Sequence, residues 1–266
     1  MINRCLNGFE ELGMSQTPYD ASTNLITPIN FSIGALFRES WQRVKGFKAT
    51  FWGAFFLSFI ASVVIAGVLA CIGMYLVSGL GMDKENVNFV TGILQAVLTM
   101  PIGVGLMLIG IKRARDLPNK AMDVFNYYGY FFGLAGIYFV EIIILTGPIV
   151  IMTWLTNWSD SDVLNIITSI GCFLYALFAI YLSVAYTFAM PLLVEKNLSI
   201  WQSLELSRKR VTKHWFKVFF ILLILVLFVL VAVLPILLGL IWVMPFATIV
   251  CGAMYVKLFD NQSTVL

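Results

Sequence analysis

Histidine is almost missing from this 266-residue chain, which has only His214, and charge is scarce, with Asp, Glu, Lys and Arg together making up 12% of the residues. One histidine cannot build a His pair, a His-Cys metal cluster or a Ser-His-Asp set. The four cysteines, Cys5, Cys71, Cys172 and Cys251, lie far apart without paired spacing. That pattern excludes a zinc knuckle or disulfide frame and predicts buried free thiols. No strand is predicted, so no Gly-rich phosphate loop can follow one, and Gly103, Gly105 and Gly110 inside a helical segment read as close-packing positions. With no catalytic constellation, cofactor site or metal site in view, the expectation is a non-enzymatic protein.

What the chain has in abundance is apolar surface. Its 60% apolar residues and mean hydropathy of +0.92 stand well outside the soluble average of roughly 45 to 50% apolar and 25% charged. From Val218 to Val256 there are 39 residues without a charge. As one helix they would reach about 58 Å, roughly twice a hydrocarbon core, so the chain must fold back. Apolar segments at about 50–78, 88–111, 130–155, 163–194, 216–235 and 239–257 predict an all-α polytopic membrane protein with six transmembrane helices. The last turn falls in "LPILLG", at Pro235 and Gly239; without it the count is five and the C-terminus changes side.

The net charge of +3 matters less than where the charges lie. With the N-terminus inside, sixteen of the seventeen Lys and Arg fall on one side, and only Lys84, in "GMDKENVN", falls on the other. The positive-inside rule therefore places both termini in the cytoplasm, with Trp52 and Trp215 at the inner interface and Trp154, Trp158 and Trp242 near the outer one. The polar stretch 1–30 lacks the apolar core of about 7 to 15 residues that a cleavable signal needs. It is expected to be retained as a disordered cytoplasmic segment, with Met14 an alternative start to Met1. The membrane domain then runs over 31–260 and a cytoplasmic tail over 261–266.

The six helices group as three hairpins, each preceded by an amphipathic segment on the cytoplasmic side. Phe37, Trp41, Val44 and Phe51 lie near one face before the first hairpin, and Trp201, Leu204, Val211 and Trp215 before the third. The middle segment, "NKAMDVFNYYGYFF", places Met122, Phe125, Tyr128 and Phe132 at the same spacing. Ser199 with Gln202 has capping-box spacing, and Phe31 with Leu36 can staple around Ser32. "SWQRV" at 40–44 and "SRKRV" at 207–211 share three letters, and "MP" recurs at 100, 190 and 244. Three parallel copies of one unit are inferred.

Glu141 is the one carboxylate well inside an apolar segment, where a charge costs about 2.5 to 3.5 kcal/mol on insertion scales. It accepts a proton or a cationic cargo, or else sits protonated or hydrogen-bonded to Tyr175 or Tyr181. Gly147-Pro148 in the same helix is expected to break or kink it and free carbonyls. Ser62, Ala66 and Ala70 form a small-residue ridge suited to helix contact, within the bundle, with a second copy or with another membrane protein. The basic stretch "SRKRVTKHWFK" at 207–217 has no nucleic-acid-binding fold around it. Topology alone accounts for it. The functional expectation is that Arg208, Lys209, Arg210, Lys213 and Lys217, with Arg43, Lys45 and Lys48, grip anionic lipid headgroups, each base being worth about 1 kcal/mol at such a surface.

The order "AYTFAMPLLVEKNLSIWQSLELSRKRVTKHWFKVFF", then two linked apolar helices with "WVMPF", then "AMYVKLFD" resembles a group of bacterial six-helix inner-membrane proteins. That group includes the membrane domain fused to some glycerophosphoryl diester phosphodiesterases, and stand-alone relatives of unknown function. The resemblance covers about residues 30–260 and is clearest from Tyr186 to Phe259; in its pattern Ser207, Pro245 and Tyr255 are the matching residues. It implies this architecture, a bacterial inner-membrane location and no catalysis, since the phosphodiesterase chemistry belongs to a separate domain. It also favours a role in envelope or lipid homeostasis, or as a partner-binding subunit. A small transporter or channel using Glu141 and Gly147-Pro148 is the alternative.

Overall fold

The computed structural model describes residues 31–156, 162–234 and 238–260. The expectations for 1–30, Met14, Cys5, Trp158, Pro235 and 261–266 lie outside the described residues. Every regular element among those described is helical. In order they are α1 (Ile33–Val44), α2 (Lys48–Ser78), α3 (Lys84–Ala114), two short 3-10 turns (Ala121–Phe125 and Tyr128–Tyr130), α4 (Phe131–Thr156), α5 (Asp162–Tyr186), α6 (Ala189–Lys196), α7 (Ile200–Thr212), α8 (Trp215–Val233) and α9 (Leu240–Phe259). Six stretches are long and apolar enough to cross a membrane: Lys48–Ser78, Lys84–Ala114, Ala121–Thr156, Val163–Lys196, Trp215–Val233 and Leu240–Phe259. The chain has the build of a multi-pass membrane protein.

Local chemistry sets the helix ends. The Asp83 carboxylate accepts the Asn86 N–H at 2.9 Å and opens α3, after Gly81 at φ +69° has turned the chain. Ser199 and Gln202 form a reciprocal capping box that opens α7. Asn197, at φ 47°, ends α6 in the left-handed region. Ser32 precedes α1 without a side-chain capping bond, while Phe31 and Leu36 are both buried in one core.

That core lies at one end of the bundle. It takes Leu36 and Val44 from α1, Phe47, Phe51 and Ala54 around the start of α2, Val104 to Ala114 from the end of α3, Leu134 and Ile137 from α4, and Val184 to Val194 across α5 and α6. Leu204 and Val211 from α7, Val218 to Leu225 from α8 and Phe246 to Phe259 from α9 complete it. Away from it, α2 shows Phe59, Ile60, Val64, Val68 and Ile72 on its surface, and residues 163–180 of α5 have no buried side chain. Where α3 crosses α9 the backbones nearly touch: a Cβ on Gly110 would overlap Thr248, and one on Gly252 would overlap Gly110 and Ile111. Gly105 meets the Val124 backbone in the same way, whereas Gly103 faces open space. Small residues permit such approach where lipid supplies no hydrophobic drive between helices.

Several expectations need correction. The middle amphipathic segment is not an α-helix but two 3-10 turns. Asp123 accepts both the Lys120 N–H at 3.3 Å and the Lys112 ammonium at 3.0 Å, which pins the chain in a tight turn, and Val124 packs its backbone on Gly105. Of the expected faces of α1 and α7, Val44, Leu204 and Val211 are buried, beside Ser40 in one helix and Ser203 and Ser207 in the other, and Trp41 and Trp201 stand exposed. Trp52 and Trp242, placed at opposite interfaces by sequence, share one neighbourhood. Trp52 Nε1 donates to the Ile241 carbonyl at 3.3 Å, and Lys48 Nζ lies 4.7 Å from the Trp242 ring centroid. Cys71 is exposed on α2 rather than buried.

Candidate functional site

Charge gathers at the cored end. Arg115, the residue after α3, makes a two-toothed pair with Glu195 of α6, both bonds 2.7 Å, and its Nε donates to Asp260 after α9 at 2.6 Å. Three helices remote in sequence thus terminate on one guanidinium, whose planar fork suits two carboxylates. Burial opposes the Arg115 charge, but its hydrogen bonds to the Glu195 and Asp260 carboxylates, with their negative charge, outweigh it and hold the guanidinium pKa above its ordinary value. The fully buried Tyr255 ring lies 5.8 Å from the guanidinium carbon and packs against Phe188 and Phe259. Its hydroxyl makes no hydrogen bond of normal geometry among the described residues, although Glu195 and Asp260 are within electrostatic reach. Lys196 donates to the Phe259 carbonyl at 3.3 Å.

Further ties surround this cluster. Arg113 donates to the carbonyls of Arg43 and Lys45 at 3.0 and 2.8 Å, Arg43 pairs with Asp116 at 3.2 Å, Lys112 with Asp123 at 3.0 Å, and Lys257 with Glu39 at 3.2 Å. Sequence reasoning missed the cluster because Arg115 entered only a count of bases by side, and Glu195 and Asp260 entered no reading. The available signal was that Glu195 and Asp260 each close an apolar segment in a chain with only 14 acids.

The eight bases expected at headgroups do not form one patch. Lys45, Lys209 and Lys213 are exposed. Arg43 is engaged by Asp116, and Arg208 and Lys209 both pair with Glu205, at 2.9 and 3.2 Å. The Arg208 bonds hold the Glu205 carboxyl below its usual range. Lys48 lies over Trp242, and Lys217 is 5.8 Å from the Phe31 ring centroid. Arg210 is only 7% exposed. It lies near Lys196 inside the bundle and does not reach the surface as expected.

Glu141 lies on α4 in a pocket of about 140 Å³ shared with Leu145, Ser183, Tyr186, Thr187 and Met190. The chain breaks here between α5 and α6, at Thr187 and Phe188. Ser183 donates its hydroxyl proton to the Ile180 carbonyl at 2.9 Å, and Thr187 to the Ser183 carbonyl at 3.1 Å. Both hydroxyl oxygens therefore face a ligand as acceptors only. Neither expected tyrosine reaches Glu141. Tyr175 donates to the Ile144 carbonyl, and Tyr181 shares a 2.9 Å hydrogen bond with Thr212.

Gly147-Pro148 does not break α4, which continues to Thr156. Pro148 has no N–H for the carbonyl four residues earlier, and that carbonyl, Ile144, is the one Tyr175 serves. Pro245 likewise leaves the Ile241 carbonyl to Trp52. Beside Pro101, Tyr128 donates to the Leu98 carbonyl at 3.2 Å. Ser207, Pro245 and Tyr255 all sit at packing contacts: Ser207 donates to the Ala185 carbonyl at 2.7 Å, closing the end of α5, Trp52 serves the Ile241 carbonyl that Pro245 leaves open, and Tyr255 floors the Arg115 cluster. Comparison with protein-family models, with curated proteins and with solved structures finds no significant match.

Proposed function

We propose that this chain is a non-enzymatic protein of the bacterial inner membrane that works by holding membrane lipid, in envelope or lipid homeostasis, or a membrane partner as its subunit. In this reading the six spans are three hairpins with both termini cytoplasmic. α1 and α7 lie on the cytoplasmic side before the first and third hairpins, and 3-10 turns take that place before the second. The observation that carries it is the division of the molecule: one end tied by Arg115, Glu195 and Asp260, the other leaving residues 163–180 with no buried side chain. A helix apolar all round finds its contacts in lipid or in a partner. The exposed Lys45, Lys209 and Lys213 then meet anionic headgroups. The resemblance to the membrane domains of phosphodiesterases that act on lipid debris points the same way. Extraction in native bilayer discs followed by mass spectrometry tests it. Anionic lipid or one recurrent membrane protein should be retained, with lipid retention falling when Lys45, Lys209 and Lys213 are changed to Gln. Retention no greater than by an unrelated six-span protein would refute it.

A small transporter or channel is the second reading, favoured by Glu141 in its pocket at the α5–α6 break. Gly147-Pro148 lends it no support, since Tyr175 occupies the Ile144 carbonyl. Liposome flux that survives Glu141→Gln at full rate would remove it.

A further inference from the structure

We propose that the Glu141 pocket binds the primary ammonium of an aminophospholipid headgroup, with Arg208 taking the phosphate. This rests on the lipid-holding reading and names the ligand of a site which that reading left open. Glu141 carries no hydrogen bond among the described residues, yet it faces a cavity of about 140 Å³ rather than close-packed neighbours. The cavity offers a carboxylate and two hydroxyls, Ser183 and Thr187, whose protons are already donated to backbone carbonyls. Among the described residues Tyr186 is the one lining hydroxyl whose proton is not donated to a carbonyl, so this acceptor-rich site calls for a ligand that brings donors and positive charge, and a primary ammonium supplies three N–H groups. Since a water's share of liquid volume is about 30 Å³, the space suits an aminoethyl group. A trimethylammonium has no N–H to give and would leave the lone pairs of Glu141, Ser183 and Thr187 unmatched.

The phosphate end follows from the neighbouring helix. Tyr186, which lines the cavity, lies within electrostatic reach of Glu141, Arg208 and Glu205. Arg208 binds Glu205 through Nε and Nη2, which leaves Nη1 for a phosphate oxygen. A zwitterion with a two-carbon arm between ammonium and phosphate gives Glu141 a cation and Arg208 an anion, and an acyl chain finds the uncovered apolar face of α5. A soluble amine shares the ammonium chemistry but uses neither Arg208 nor that face.

The test is native mass spectrometry on the full chain and on Glu141→Gln, titrated with short-chain phosphatidylethanolamine, phosphatidylcholine and phosphatidylglycerol. The wild type should bind the ethanolamine lipid about tenfold more tightly than the choline lipid, the scale of a charge-assisted hydrogen bond. Glu141→Gln should equalise the two, and an unchanged unfolding midpoint shows that the variant is folded. Equal binding of both zwitterionic lipids by the wild type, or a preference that survives Glu141→Gln, overturns the pocket assignment while phosphatidylglycerol binding keeps the broader reading standing. Loss of all lipid binding by the wild type overturns both. Displacement of the ethanolamine lipid by equimolar free ethanolamine overturns the lipid assignment in favour of a soluble amine.

Discussion

The hydroxyl of Tyr175 on α5 donates to the carbonyl of Ile144 on α4, the group that Pro148 leaves without its helical partner. Trp52 does the same for Ile241 below Pro245. Both pairs join a proline to an aromatic donor on another helix, so a gap in one helix becomes a link to the next. Tyr175→Phe should lower stability by about 0.6 to 1.7 kcal/mol, the range of hydrogen bonds between helices in a membrane. In a Pro148→Ala background the restored N–H serves Ile144, and the same substitution should then cost almost nothing. A double-mutant cycle on thermal unfolding measures the difference, and additive losses would show that the bond does not depend on the proline.

Arg115 should be the least replaceable base in the chain. Arg115→Ala leaves Glu195 and Asp260 facing each other at the cored end and should cost about 3 kcal/mol, the lower part of the range for breaking a buried pair. Arg115→Lys restores charge but not the fork that spans two carboxylates, and should recover only part of the loss. Exposed Lys45→Gln serves as a control with little effect. The readout is the unfolding midpoint of the purified protein.

The crossing of α3 and α9 is tested by size. Gly110→Leu and Gly252→Leu should each destabilise by at least about 1 to 3 kcal/mol, because the new side chain meets backbone that cannot turn aside. Gly103→Leu, on the same helix but facing open space, should be tolerated. Equal effects at Gly103 and Gly110 would mean that this crossing does not form.

Hydropathy made the six apolar stretches legible, and Ser199 with Gln202 announced the start of α7, because these signals live in one segment of chain. The Arg115 cluster was not legible, since its members come from the ends of α3, α6 and α9, and only the packed bundle brings them together. The middle amphipathic segment misled for a related reason. Met122, Phe125, Tyr128 and Phe132 have helical spacing, but Asp123 turned back on Lys120 and Lys112 favours a tight turn. Glu141 was visible by its loneliness in an apolar run, whereas its neighbours Ser183 and Thr187 come from the end of α5 and the break after it. Arg210 shows the limit of counting charge, for one base in a basic run lies inside the bundle while Lys209 beside it is exposed.

His214 gives a dependence on pH. Burial, then Lys217 and Lys213, hold its pKa below the ordinary 6.5. The folded state therefore binds a proton less readily than the unfolded chain. Its contribution is complete above pH 6.5 and is lost as pH falls through that value toward the folded pKa. Unfolding midpoints should decline as pH falls below about 6.5, and His214→Gln should flatten this part of the profile. An unchanged slope in the variant would assign the decline to other groups.

The central claim is that Arg115, Glu195, Asp260 and the exposed bases share the cytoplasmic end, with α8 and α9 folding back so that the chain ends on the side where it began. Fusing a reporter active only in the periplasm after Asp260, and in a second protein within the loop just before Lys84, measures this directly. The account predicts a silent reporter after Asp260 and an active one at Lys84. Activity after Asp260 would contradict it.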